Sequence, residues 1–177
     1  MTRFMDKSID LLINQLAVAK GHWLIVADEN WPQAIWPSIH TNDQRTITVI
    51  SNRFDVAQAA QQAAIDCQFS DFDFCIFKPA SFDGVLYRVS KERATSHHVI
   101  NQAANILKPN ATLVLAGEKN DGIKSYVKQA GKLFSSPANA EKNGKAYIAS
   151  IALQATATDS LNDKNYSQLR SIQLSDN

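Results

Sequence analysis

His22-Trp23-Leu24-Ile25-Val26-Ala27 runs directly into Asp28-Glu29-Asn30-Trp31-Pro32, and the reading of this stretch decides the fold. The first part (HWLIVA) is short, apolar and β-branched, which is the pattern of a strand buried on both faces of a parallel sheet. Thr46 to Ser51 (TITVIS) repeats it. Between the two, Trp31-Pro32 and Trp36-Pro37 predict a punctuated loop, because proline disfavours helix in the residue before it and donates no backbone hydrogen bond.

Helix and strand signals alternate outward from there. Ile9, Leu12, Ile13 and Leu16 recur at helical spacing within Asp6 to Lys20, and Gly21 follows as a stop signal. Asp55 to Asp66 predicts a helix whose Val56, Ala59, Ala60, Ala63 and Ala64 give a flat face able to lie close to a sheet. Phe72 to Phe77 (FDFCIF) and Gly84 to Val89 (GVLYRV) predict strands, and Lys91 to Leu107 predicts a long helix ended by Lys108-Pro109-Asn110. Ala111 to Ala116 (ATLVLA) reads as a further buried strand and Gly122 to Phe134 as a helix. Lys132 to Ser135 and Lys145 to Leu153 predict an antiparallel pair around the turn-rich segment Pro137 to Gly144. Together these signals predict an α/β fold: Rossmann-like, a methyltransferase-type mostly parallel sheet with a terminal antiparallel pair and helices on both faces. A chain of 177 residues, 45% hydrophobic and 20% charged, suffices for one core, assigned to residues 1–153. The polar tract 154–177 reads as a linker or tail.

Such a sheet binds a nucleotide cofactor through glycines after the first strand, which let the backbone approach the ligand, and through an acid that ends the second strand. Here two acids and a Trp-Pro pair fill the first turn, and the second strand closes in Ser51-Asn52-Arg53. Asp28 reads as a loop or cap carboxylate, with a ligand hydroxyl as the alternative. Amino methyltransferases acting on bases place an Asn-Pro-Pro-aromatic motif after the fourth strand, where this chain has Tyr87-Arg88-Val89-Ser90-Lys91. His97 and His98 are adjacent, so on a helix they point about 100° apart and cannot share one metal ion as residues four apart could. Cys67 and Cys75 form no CxxC motif and read as packing residues. Trp23, Phe72, Phe74 and Phe77 fall on strand candidates and read as core.

Charge is uneven: Lys78 to Lys145 holds 11 Lys/Arg against 5 Asp/Glu, net +6, and the remainder 7 against 12, net −5. Such a basic half suits an RNA-facing surface or a solvated charged face. No apolar run approaches the roughly 20 residues of a membrane span, and Met1 to Asp10 lacks a signal-peptide core, so the expectation is a cytoplasmic protein without a membrane partner. Ala116 to Ser125 (AGEKNDGIKS) places two glycines around a charged turn before a helix. It reads either as a site where helix amides with Lys124 and Ser125 meet an anion, or as a strand-to-helix connection shaped by its glycines.

The block Phe82 to Lys91 (FDGVLYRVSK), the helix to Leu107 and the segment Leu113 to Ser125 (LVLAGEKNDGIKS) resemble the N-terminal domain of the ribosomal RNA small subunit methyltransferase C family. The resemblance covers Phe72 to Leu153 well and the first seventy residues only in strand order. Ser90 stands where the family has proline, and Lys119-Asn120 departs from the family's acid-asparagine turn; the large-subunit guanine methyltransferase G shares the plan. The resemblance implies a parent protein that carries a methyl group from S-adenosylmethionine to a guanine N2 of small-subunit rRNA. This chain would be its degenerate, non-catalytic N-terminal domain, with no cofactor of its own. Its partners would be the catalytic C-terminal domain, reached through 154–177 and Asp163 to Leu169 (DKNYSQL), and rRNA or the ribosomal subunit. Arg88, Lys91, Glu118, Lys119, Lys124, Ser125 and Lys128 are the candidate RNA or partner contacts. The alternative is a self-standing, degenerate Rossmann-like interaction domain.

Overall fold

The computed structural model describes residues 5–156 and 158–168. Along the chain lie α1 (Lys7–Val18), β1 (Gly21–Ala27), β2 (Arg45–Ser51), α2 (Phe54–Gln62), β3 (Asp66–Phe69), β4 (Phe82–Arg88), α3 (Arg93–Ile106), β5 (Leu107–Glu118), α4 (Ile123–Leu133), β6 (Glu141–Asn143) and β7 (Ala146–Ala152). The strands form one sheet in the order β3-β2-β1-β4-β5-β7-β6. Pairs from β3 to β5 are parallel, whereas β7 runs antiparallel to both β5 and β6.

Alternation along each central strand feeds two cores. Leu24 and Val26 of β1, Val85 and Tyr87 of β4, and Leu113 and Leu115 of β5 pack under α3 and α4. Ile25 and Ala27, Leu86, and Val114 and Ala116 point to the other face, where α1, α2 and the Trp31–Trp36 loop cover them. Period-two alternation inside apolar runs is what a sheet covered on both faces requires. The strands come close enough that a Cβ on Gly84 would sit 2.3 Å from the Trp23 ring.

The structure corrects four expectations. The helix expected to reach Asp66 ends at Gln62: Ala64 takes φ 59°, the Ile65 amide returns to the Ala60 carbonyl (3.1 Å), and Asp66 opens β3. Phe72 to Phe77 is no strand, because Asp73 accepts a hydrogen bond from the Cys75 amide (3.0 Å) and winds residues 74–76 into a short 3-10 turn. Phe72 and Phe74 are buried all the same, so the alternation recorded burial of a loop. Lys132 to Ser135 is the end of α4 and the turn after it, where Ser135 takes φ 54°, and the hairpin partner of β7 is β6. The Trp-Pro loop contains a 3-10 helix, Gln33–Ser38, with Pro37 inside it; Trp31 and Trp36 are buried and stacked, ring centroids 5.4 Å apart.

Candidate functional site

The carboxyl ends of β1, β2, β4 and β5 open onto a cleft of about 570 Å³. Carboxylates dominate its lining, Asp28, Glu29, Glu92, Glu118 and Asp121 standing against Arg88 and Lys91. Asp28 ends the first strand and closes the turn on itself, its Oδ1 accepting from the Asn30 amide (3.0 Å) and the Asn30 Nδ2 (3.1 Å). Burial pushes the Asp28 carboxyl above its usual range, against the pull of the Asn30 amide. Trp31, next in line, is buried beneath this turn.

Arg88 forms the floor. Its side chain is 9% exposed, and its guanidinium donates to Asp6 (2.7 Å), Asp121 (3.1 Å) and the Val89 carbonyl (2.9 Å). Desolvation opposes its charge, but the facing Asp6 carboxylate and then Asp121 outweigh that and hold it firmly protonated. Above it the loop after β4 is fastened by Ser96, whose Oγ accepts from the Ser90 amide (3.0 Å) and donates to the Ser90 carbonyl (2.9 Å). Glu118 and Asp121 cap each other across a single 3-10 turn: Asp121 accepts from the Glu118 amide (2.9 Å), and Glu118 from the Asp121 amide. Gly122, at φ 88°, then turns the chain into α4, a conformation open to glycine at no steric cost.

The sequence candidates thus separate. Arg88, expected at an RNA surface, is spent on internal ion pairs, with partners too remote in sequence to announce themselves. Glu118 braces the turn and Lys91 is exposed at the rim of the cleft. Lys119, Lys124, Ser125 and Lys128 are exposed at and along the outer side of α4. Lys124 Nζ lies 4.9 Å from the centroid of the Tyr147 ring, which ties the start of α4 to the β6–β7 hairpin. Lys132 continues that stripe, and Lys142 and Lys145 extend it on the hairpin. These three were missed as candidates, although 124, 128 and 132 repeat every four residues and share one helix face. His97 and His98 serve packing: His97 Nδ1 donates to the Asn162 carbonyl (2.7 Å), and His98 Nε2 donates to the Phe72 carbonyl (2.8 Å). Among the described residues no three His, Cys, Asp or Glu side chains gather as metal ligands, and no helix is long and apolar enough to cross a membrane.

A family model described as "Methyltransferase small domain N-terminal" matches residues 10–163. The ribosomal RNA small subunit methyltransferase C of Shewanella halifaxensis is 35% identical over 77 residues, 44% of this chain and 23% of that protein. Its counterpart from Shewanella sediminis is 41% identical over 56 residues, 32% of this chain and 16% of that protein. The chain therefore spans less than a quarter of the length of the curated relatives it matches. Among solved structures, the T. thermophilus 16S rRNA N2 methyltransferase in complex with AdoMet and guanosine superposes with a TM-score of 0.71 at 16% identity, over 89% of this chain and 42% of that one. The PH0226 protein of Pyrococcus horikoshii gives 0.58 at 11% identity, over 83% and 88%. At such identities the likeness is one of fold.

Proposed function

The chain belongs to the methyltransferase small domain N-terminal family, and from that premise we propose that it is the non-catalytic N-terminal domain of an rRNA guanine-N2 methyltransferase acting on small-subunit rRNA, where it supports the catalytic half and helps to engage RNA. The observation that carries this reading is the occupied crevice. A methyltransferase of this fold needs an open first turn for its cofactor. Here the Asp28–Asn30 turn closes on itself over a buried Trp31, and the Arg88 guanidinium with its two carboxylates fills the floor. These residues do not fit S-adenosylmethionine. The acceptor motif is likewise replaced, by a loop whose Ser90 is fastened to Ser96. The reading places S-adenosylmethionine in the catalytic half of the parent protein and leaves to this domain the basic side built on α4, where Lys119, Lys124 and Lys128 are exposed.

Calorimetry tests the first part. Residues 1–177 titrated with S-adenosylmethionine should release no binding heat, while the full-length parent binds the cofactor and methylates small ribosomal subunits. Low-micromolar binding to residues 1–177, abolished by substitutions at Asp28 and Asn30, would overturn the non-catalytic reading.

A further inference from the structure

The polar tract after β7 is fastened to the domain. Asn101 on α3 grips the backbone of Leu161 twice, accepting from its amide (2.8 Å) and donating to its carbonyl (2.9 Å). His97 donates to the next carbonyl, that of Asn162. The Tyr166 ring is buried and stacked on His98, centroids 4.3 Å apart and planes 18° from parallel, and its hydroxyl donates to Asp71 (3.0 Å). A tether that served only as a spacer would retain its conformational freedom; ordering these residues costs entropy that the contacts must offset. The consequence is a fixed exit: the chain leaves the domain beside Asp71, two residues past the end of β3.

That edge carries an exposed aromatic pair. Phe54, at the start of α2, is 63% exposed and Phe69, the last residue of β3, is 55% exposed. Their rings meet edge to face with centroids 5.6 Å apart. Among the described residues β3 is an edge strand, hydrogen-bonded to β2 alone. From Asp71 to Phe69 is a reach of at most about 7 Å.

We infer that Phe54 and Phe69 form the seat for the catalytic half that follows in the same polypeptide, and that the Asn101–His97–His98 clasp delivers that half to it. This rests on the reading that such a half exists in the parent. Fixing the exit point next to the patch confines the following domain to it, so a modest apolar contact suffices for stable docking. Two adjoining exposed aromatics are the residue type that anchors interfaces.

Amide exchange on the full-length protein tests the inference, with Phe54→Ser/Phe69→Ser compared with the unmutated chain and with Val18→Ser. Val18 is 79% exposed at the end of α1, beside the amino end of β1, and serves as control. In the unmutated protein residues 52–56 and 66–70 should be protected. The double variant should speed their exchange on the order of thirtyfold, the effect of losing an interface anchor. Core amides of β1 and β4 should stay as slow as before, which shows that the domain remains folded. Unchanged exchange at the patch overturns the inference; so does protection lost on dilution, which assigns the patch to a second copy, or protection seen only with rRNA, which assigns it to RNA. Methyl transfer by the unmutated chain separates the two readings. If it methylates small subunits while the patch shows no protection, the docking inference alone fails; if it transfers no methyl group, the functional reading fails and takes the inference with it.

Discussion

Arg88 and Asp28 share one crevice and make opposite contributions to stability. Arg88 is buried between Asp6 and Asp121, so truncating it leaves two carboxylates facing each other in a dry site. Breaking such a network by removing one partner costs about 3–5 kcal/mol. Arg88→Ala should therefore lower the melting temperature steeply, and thermal denaturation measures it. Asp28 is a carboxylate held above its ordinary pKa, mainly by burial. A raised folded-state pKa gives stability that is fully present below the unfolded value, roughly 4, and is lost as pH rises through the raised one. At neutral pH the ionised group is thus a burden, and Asp28→Asn, which keeps the Oδ1 acceptor for Asn30, should stabilise by on the order of 0.5 kcal/mol. The advantage should vanish in melts carried out below pH of about 4. The closed Asp28 turn was legible in the sequence, since its cap lies two residues on; the pairing of Arg88 with Asp6 was not, because 82 residues separate them.

Elements were legible in proportion to what they bury. β1, β2, β4 and β5 carry apolar runs closed in on both faces, and the sequence places each within a few residues. β3 and β6 lie at the two edges of the sheet, are almost wholly exposed, and so show no hydrophobic period to read. The same rule misleads in the opposite direction at Phe72 to Phe77, where buried aromatics on a 3-10 turn imitate a strand. Close contact between β1 and β4 is a further property of elements that no single strand announces. Gly84 leaves a space that the Trp23 ring fills, and a methyl group there would overlap the ring by more than an ångström. Trp23 is pinned through its Nε1, which donates to the Lys20 carbonyl (2.8 Å), so it cannot step aside freely. Gly84→Ala should cost about 1–3 kcal/mol, as overpacking does. Urea denaturation checks this, and a midpoint equal to that of the unmutated chain would show that the two strands separate without strain.

Over the whole molecule, charge is sorted between the cleft and one side of the fold. The cleft gathers carboxylates, whereas α4 and the β6–β7 hairpin expose Lys119, Lys124, Lys128, Lys132, Lys142 and Lys145. Against these six the same stretch offers the exposed Glu141 and Asp121, which is buried and already paired with Arg88. An RNA backbone approaching this side meets a field of one sign, and an approach to the cleft meets the opposite one. Each lysine that neutralises a phosphate releases counterions, so the logarithm of the binding constant falls with the logarithm of salt by about 0.7–0.9 per contact. Lys124→Ala/Lys128→Ala in the full-length protein should therefore weaken binding to small-subunit rRNA and flatten that slope by roughly 1.5 to 2. Folding should barely change. Lys128 is exposed, and Lys124 forfeits only its contact with the Tyr147 ring, worth about 0.5–1 kcal/mol at an exposed site. Filter binding across a salt series, beside a melting curve of each protein, separates the two effects. A double variant with an unaltered slope and unaltered methyl transfer would mean that the basic side is solvated surface and that RNA is held elsewhere in the parent protein.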